Sequence, residues 1–225
     1  MSTSVDGSVD LVVFDCDGVL VDTERIGPAV VAEMATEAGW PLTADEVRER
    51  FLGRPESYLH TEIRAHATAP VGPDWLDAYR VRVRDAFTAR PHTMPGVREL
   101  LDALDGGGVP YCVASSGGHE RIEHSLTVTG LWARFAGRVF SADDVEHGKP
   151  APDLFLHAAR TLGVPADRCL VIEDSPAGVA AALAAGMPVI GYAGGPTPRT
   201  ALADAGQGVI EDFAELHARL GLPPS

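Results

Sequence analysis

Residues 9–22 read Val-Asp-Leu-Val-Val-Phe-Asp-Cys-Asp-Gly-Val-Leu-Val-Asp, and the fold is decided by this stretch. Val9–Phe14 is a short apolar run rich in β-branched residues, the composition of a buried strand. It stops at Asp15 and Asp17. In an extended chain these two carboxylates point the same way, because side chains repeat with period two. In open parallel sheets ligands bind beyond the carboxyl ends of the strands, so a buried strand ending in paired acids is a candidate wall of such a crevice.

Apolar runs of the same kind recur at Val109–Ala114 and Leu170–Ile172, in shorter form at Val189–Ile190 and Val209–Ile210, with a weaker strand pattern in step at Arg138–Phe140. Amphipathic stretches fall between them. Val97, Leu100, Leu101 and Leu104 share one helical face, and Leu154, Phe155, Ala158 and Leu162 share another. Strands alternating with helices predict βαβ units and an α/β fold, a Rossmann-like three-layer core around a parallel sheet. One segment, residues 23–92, breaks the rhythm with no strand pattern. Thr43-Ala-Asp-Glu46 is a capping box, and Trp75, Leu76, Tyr79, Val83 and Phe87 recur at helical spacing until Pro91. The prediction is an all-helical cap domain over 23–92, inserted into a core made of 1–22 and 93–225. At that position it can serve as a lid over the strand ends.

Three further strand ends carry polar groups. Ser115 and Ser116 follow the second strand, Lys149 follows the Arg138–Phe140 strand, and Glu173 and Asp174 follow Leu170–Ile172. Asp15, Asp17 and Asp174 offer hard oxygen donors that suit Mg²⁺ better than zinc. Lys149 and the Ser115 hydroxyl supply charge and a donor for phosphate oxygens. One carboxylate can attack phosphorus while the other moves protons. A lone Asp-x-Asp is ordinarily a solvated turn and a lone Lys-Pro a loop; the argument rests on their ordered combination at successive strand ends.

In that order, Asp15-Cys-Asp-Gly-Val-Leu-Val-Asp22, Ser115, Lys149-Pro-Ala-Pro-Asp153 and Glu173-Asp-Ser-Pro-Ala-Gly178 resemble the four motifs of the haloacid dehalogenase (HAD) superfamily. The match is closest to its capped branch of β-phosphoglucomutase-like proteins and sugar-phosphate phosphatases. The resemblance implies that Asp15 is the nucleophile, that Asp17 protonates the leaving oxygen and then activates water, and that Ser115 and Lys149 hold the phosphoryl oxygens. It implies Mg²⁺ on Asp15, on Asp17 through its backbone carbonyl and on Asp174, with Glu173 in or near the shell, and Asp22 as a brace for the first loop. The acid at Asp17 is lacking in the superfamily's dehalogenases, so haloacid chemistry is not expected. Gly27 stands where β-phosphoglucomutase carries a cap-hinge histidine, which favours water over a sugar as the final acceptor and leaves a phosphosugar mutase as the alternative. Phe51-Leu-Gly-Arg54 resembles the specificity loop of the cap, making Arg54 a candidate substrate contact against its reading as a solvated helix-end arginine. Ser116, Gly117 and Gly118 offer close backbone approach to a phosphate, or form a simple turn.

Composition sets the remaining bounds. The 225 residues are 45% hydrophobic and 22% charged, enough for a sizeable core. With 18 basic against 32 acidic residues the formal charge is −14. That field repels polyanions, so neither nucleic acid nor an anionic membrane is an expected partner, and an anionic substrate must be held by local cations. Three scattered cysteines read as reduced thiols. No basic-then-apolar leader and no span-length apolar run is present, so the cytoplasm is the expected compartment. The absence of a heptad seam predicts a monomer. The eight histidines show no metal-binding spacing, Trp40, Trp75 and Trp132 read as packing residues, and Asp143-Asp144 as a solvated turn. A non-enzymatic phospho-receiver module also places carboxylates, a hydroxyl and a lysine at the ends of a parallel sheet; it has no use for a long helical insertion or for an acid at Asp17.

Overall fold

The computed structural model describes residues 9–23, 25–51 and 56–222. Two compact units emerge, residues 1–22 with 92–225, and residues 23–91. Among the described residues the first holds six strands: β1 (Leu11–Phe14), β2 (Tyr111–Ser115), β3 (Val139–Ser141), β4 (Cys169–Glu173), β5 (Val189–Tyr192) and β6 (Val209–Ile210). They form one sheet in the order β3-β2-β1-β4-β5-β6, every neighbouring pair parallel. The order reverses at β1, which places a topological switch point beyond the carboxyl ends of β1 and β4.

The helices of the insertion are α1 (Ile26–Glu37), α2 (Ala44–Phe51), α3 (Glu56–His66) and α4 (Trp75–Ala89). Those of the sheet unit are α5 (Val97–Gly107), α6 (His119–Val128), α7 (Trp132–Phe135), α8 (Asp153–Leu162), α9 (Pro176–Ala184) and α10 (Phe213–Leu220). The architecture is a Rossmann-like α/β core carrying an inserted all-helical domain.

The strands are apolar runs because helices cover both sheet faces. Leu11, Val13, Cys112 and Val171 face one buried cluster with Leu154 and Phe155 of α8. By alternation Phe14 and Tyr111 face the other side, where their rings meet edge to face and Tyr111 meets Phe135 of α7 at 5.2 Å. β1 begins two residues later than the apolar run. Strands β2, β4 and β5 each extend one or two residues past theirs, into Ser115, Glu173 and Tyr192. Ladder partners continue there, pairing Ser115 with Ser141 and Glu173 with Gly191, so polar residues are carried to the sheet edge as strand.

In the helical unit the capping box closes: the Thr43 amide donates to Glu46 Oε2 at 2.8 Å, and the Glu46 amide to Thr43 Oγ1 at 3.2 Å. Val31, Ala35, Val47, Ile63 and Trp75 form its own buried cluster. Trp75 stacks on His60 and on Tyr79, and Trp40 on His66, so both tryptophans are packing residues. Among the described residues, no helix is long and apolar enough to cross a membrane.

Candidate active site

After Phe14 the chain turns sharply. The Asp15 amide still donates to Ile172 of β4, then the Cys16 carbonyl accepts from the amides of both Leu20 and Val21. This closed loop needs a left-handed residue, supplied by Gly18 at φ +78°. A Cβ there would also lie 2.0 Å from Asp174 Oδ2, so the glycine lets the carboxylate of the fourth strand's end approach the loop. Leu20 and Asp22 pair by backbone with Met94 and His92, and Asp22 is buried at this junction. That placement suits a brace.

Lys149 joins three strand ends. Its Nζ donates to Asp15 Oδ1 at 2.7 Å, to Glu173 Oε1 at 2.5 Å and to the Ala114 carbonyl at 2.9 Å. An ammonium has three donors, and here each has an acceptor. The side chain is 3% exposed and lies 4.9 Å from the Phe155 ring centroid. Burial alone would lower its pKa; the charges of Asp15 and Glu173 overcome that and raise it. Glu173 is equally committed, because its second oxygen accepts from the Ser175 hydroxyl at 2.9 Å and the Ser175 amide at 3.2 Å. Ser175 also caps α9 by accepting from the Gly178 amide. A Cβ at Gly178 would stand 1.9 Å from the Glu173 carboxyl, so this glycine gives the acid its space.

Asp15, Glu173 and Asp174 bring carboxylate oxygens within 4.8 Å of one another, all three residues buried. One lysine does not balance them. Burial, then the charges of Glu173 and Asp17, push Asp15 up to about 7 against the pull of Lys149. An all-oxygen set with surplus buried negative charge fits a hard divalent cation. Both Glu173 oxygens and one Asp15 oxygen already accept donors; carboxylates of Asp15, Glu173 and Asp174 could hold such a cation. The Asp17 carboxylate stands apart from this cluster and accepts from Arg121 Nη2 at 2.8 Å. The thiol between the two aspartates, Cys16, is buried, and desolvation followed by the charges of Asp17 and Asp15 raises its pKa well above normal, which removes it as a nucleophile. All three cysteines are buried free thiols.

At the end of β2, Ser115 is 2% exposed and its Oγ accepts from the Gly117 amide at 3.1 Å. The hydroxyl keeps its own proton to donate. Gly117 is engaged at both ends, because its carbonyl accepts from Ser141 Oγ at 2.8 Å. What Gly117 offers a ligand is therefore proximity rather than a donor, while Ser116 is exposed. Arg54 lies outside the described residues.

Two contributors carry no sequence motif. Arg121 sits in the first turn of α6, and its only signal is a basic residue one helical turn after the serine loop. Ser141 is buried at the end of β3, in register with Ser115. The acidic pair beside it does more than turn the chain: Asp144 accepts from the Ser141 amide and from His119 Nε2, and Asp143 from the His119 amide, tying β3 to the start of α6.

A family model described as haloacid dehalogenase-like hydrolase matches residues 9–186. The chain belongs to the haloacid dehalogenase-like hydrolases. The hydrolase is 31% identical over 189 residues to 6-phosphogluconate phosphatase of Escherichia coli (strain K12), with 84% of each chain covered. It is 31% identical over 232 residues to (DL)-glycerol-3-phosphatase 2 of Arabidopsis thaliana, covering 97% of this chain and 93% of that one. A HAD family hydrolase from Deinococcus radiodurans R1, crystallised with bound phosphate and sodium, superposes with a TM-score of 0.85 at 34% identity, over 98% of this chain and 100% of the other. The hydrolase is thus an enzyme of a family in which several similar members are named as phosphatases.

Proposed function

We propose that the hydrolase is a Mg²⁺-dependent phosphatase of a small sugar or polyol phosphate monoester, working through an aspartyl-phosphate on Asp15. The observation that carries this reading is the contrast between two carboxylates two residues apart. Asp15 is buried and clamped by Lys149, whereas Asp17 lies outside the clamp and is 20% exposed. A fixed nucleophile beside a more accessible proton carrier is what a two-step displacement requires. Relatives named for 6-phosphogluconate and glycerol 3-phosphate support a small phosphate ester.

In the first step Asp15 attacks phosphorus, the bond to the leaving oxygen breaks, and Asp17 gives that oxygen a proton. In the second, Asp17 takes a proton from water, the water attacks phosphorus, and the bond to Asp15 breaks to release inorganic phosphate. Lys149 holds one oxygen of Asp15 throughout, which fixes the direction of attack. The Ser115 hydroxyl donates to a phosphoryl oxygen. Mg²⁺, held by Asp15, Asp174 and the Asp17 carbonyl, would offset the negative charge on the phosphoryl oxygens. Glu173 serves this site by anchoring Lys149. Gly27 brings no side chain to a mutase cycle, so water is the acceptor.

The test is phosphate release from a panel of sugar, polyol and short-acid phosphates, with Mg²⁺ and with EDTA. β-Glucose 1-phosphate with a 1,6-bisphosphate primer belongs on the panel. Mg²⁺-dependent release from one or a few esters is expected. Isomerisation to glucose 6-phosphate with little free phosphate would make the enzyme a mutase. Silence across the panel would overturn the sugar or polyol assignment.

A further inference from the structure

We infer that Arg121 reads the leaving group, and that the preferred substrate carries a carboxylate a few carbons from the ester oxygen. This rests on the phosphatase reading, because it takes Asp17 as the group that meets the leaving oxygen. A proton donor must come within about 2.7 Å of the oxygen it protonates. Arg121 Nη2 is 2.8 Å from the same Asp17 carboxylate. The guanidinium therefore stands no farther than about 8 Å from the ester oxygen, within reach of a group a few carbons along the leaving group.

The two cations of this site have different capacities. Lys149 is buried with all three donors engaged, so it has nothing left for a leaving group. Arg121 is 64% exposed and uses Nη2 on Asp17. A guanidinium has five N–H donors in a planar fork that matches carboxylate and phosphate. It can hold Asp17 with one donor and present others to a substrate acid. A net charge of −14 disfavours any extra negative charge on a substrate unless a local cation receives it. As a purely structural contact the pair explains little, since exposed ion pairs contribute about 0–1 kcal/mol.

The experiment compares matched esters that differ in one group: 3-phosphoglycerate against glycerol 3-phosphate, and 6-phosphogluconate against glucitol 6-phosphate. Each is assayed with Mg²⁺ on the wild type, Arg121→Ala and Arg121→Lys. The wild type is expected to favour the carboxylated member of at least one pair by roughly tenfold or more in kcat/KM. Arg121→Ala should collapse that ratio at least tenfold, mainly through KM, and Arg121→Lys should restore part of it. Wild-type preference for the neutral members overturns the inference without any variant. Equal losses on both members in Arg121→Ala also overturn it, and would make Arg121 a positioning group for Asp17. Turnover of p-nitrophenyl phosphate but of neither carboxylated ester overturns it while leaving the phosphatase intact. If no phosphate ester is hydrolysed, the phosphatase reading fails and takes this one with it.

Discussion

On the buried side of the site, Asp15, Lys149 and Glu173 are nearly sealed, with Lys149 3% and Glu173 1% exposed, and all three donors of Lys149 are matched. On the open side, Asp17 and Arg121 make one 2.8 Å contact between side chains that solvent reaches. The first arrangement is rigid and, in the proposed reaction, generic: it would fix a carboxylate against a phosphorus whatever that phosphorus is attached to. The second is loose and adjustable, which suits the variable half of a substrate. The difference teaches where to look for each property. Removing Lys149 would strand two buried carboxylates, at about 3–5 kcal/mol, whereas an exposed pair can be broken at little cost to the fold.

The largest effect that tests this contrast is Asp15→Asn. An amide is a poor nucleophile, so phosphate release should fall by at least about four orders of magnitude. Asp17→Asn should instead slow the enzyme by roughly 10²–10⁴-fold and let a phosphorylated Asp15 accumulate, visible as an added phosphoryl mass after acid quench. Substantial turnover in Asp15→Asn would sink the nucleophile assignment, and an unchanged rate of phosphoenzyme breakdown in Asp17→Asn would remove its proton-transfer role.

A stability measurement sharpens the same contrast without substrate. Burial raises Asp15 to about 7 in the folded protein, against about 3.9 when unfolded. The folded state thus holds the proton more tightly. Stability from this group is fully present below about pH 4 and is lost as pH rises towards 7, by about 4 kcal/mol at most. In EDTA, Asp15→Asn should therefore raise Tm at pH 8, with the gain shrinking towards pH 4. Mg²⁺ should raise the wild-type Tm at pH 8 more than that of the variant. A gain independent of pH would mean that packing, not a buried charge, governs this carboxylate.

The buried side was legible in the sequence, for a physical reason. A strand covered on both faces must be apolar, so the polar residues that end it stand out: Asp15 after Phe14, Ser115 after Ala114, Glu173 after Ile172. The open side was not. Arg121 meets Asp17 across 104 positions from the surface of an amphipathic helix, where basic residues are ordinary. Ser141 was equally hidden, since a serine ending a three-residue strand looks like any loop residue until the register pairs it with Ser115. Within the helices, α2 and α4 were readable from a capping box and an apolar stripe. Helix α9, Pro-Ala-Gly-Val-Ala-Ala-Ala-Leu-Ala, is apolar or small on every side and shows no period to read.

The smallest effect concerns Ser141, which couples the sheet edge to the loop of Ser115. Its hydroxyl donates to the Gly117 carbonyl at 2.8 Å and accepts from the Asp143 amide at 3.0 Å. Alanine leaves both backbone groups without this partner, at about 1–3 kcal/mol if neither finds water. Gly117 in turn donates to Ser115 Oγ, so the loss should loosen the hydroxyl proposed to hold the phosphoryl group. Ser141→Ala is expected to lower Tm by a few degrees and to weaken inhibition by inorganic phosphate by about three- to tenfold, while kcat falls less than in Asp17→Asn. A lowered Tm with phosphate inhibition unchanged would confine Ser141 to the fold. A weakened phosphate site in a variant of nearly normal stability would show that the rigid side of the site extends one strand beyond its charged residues.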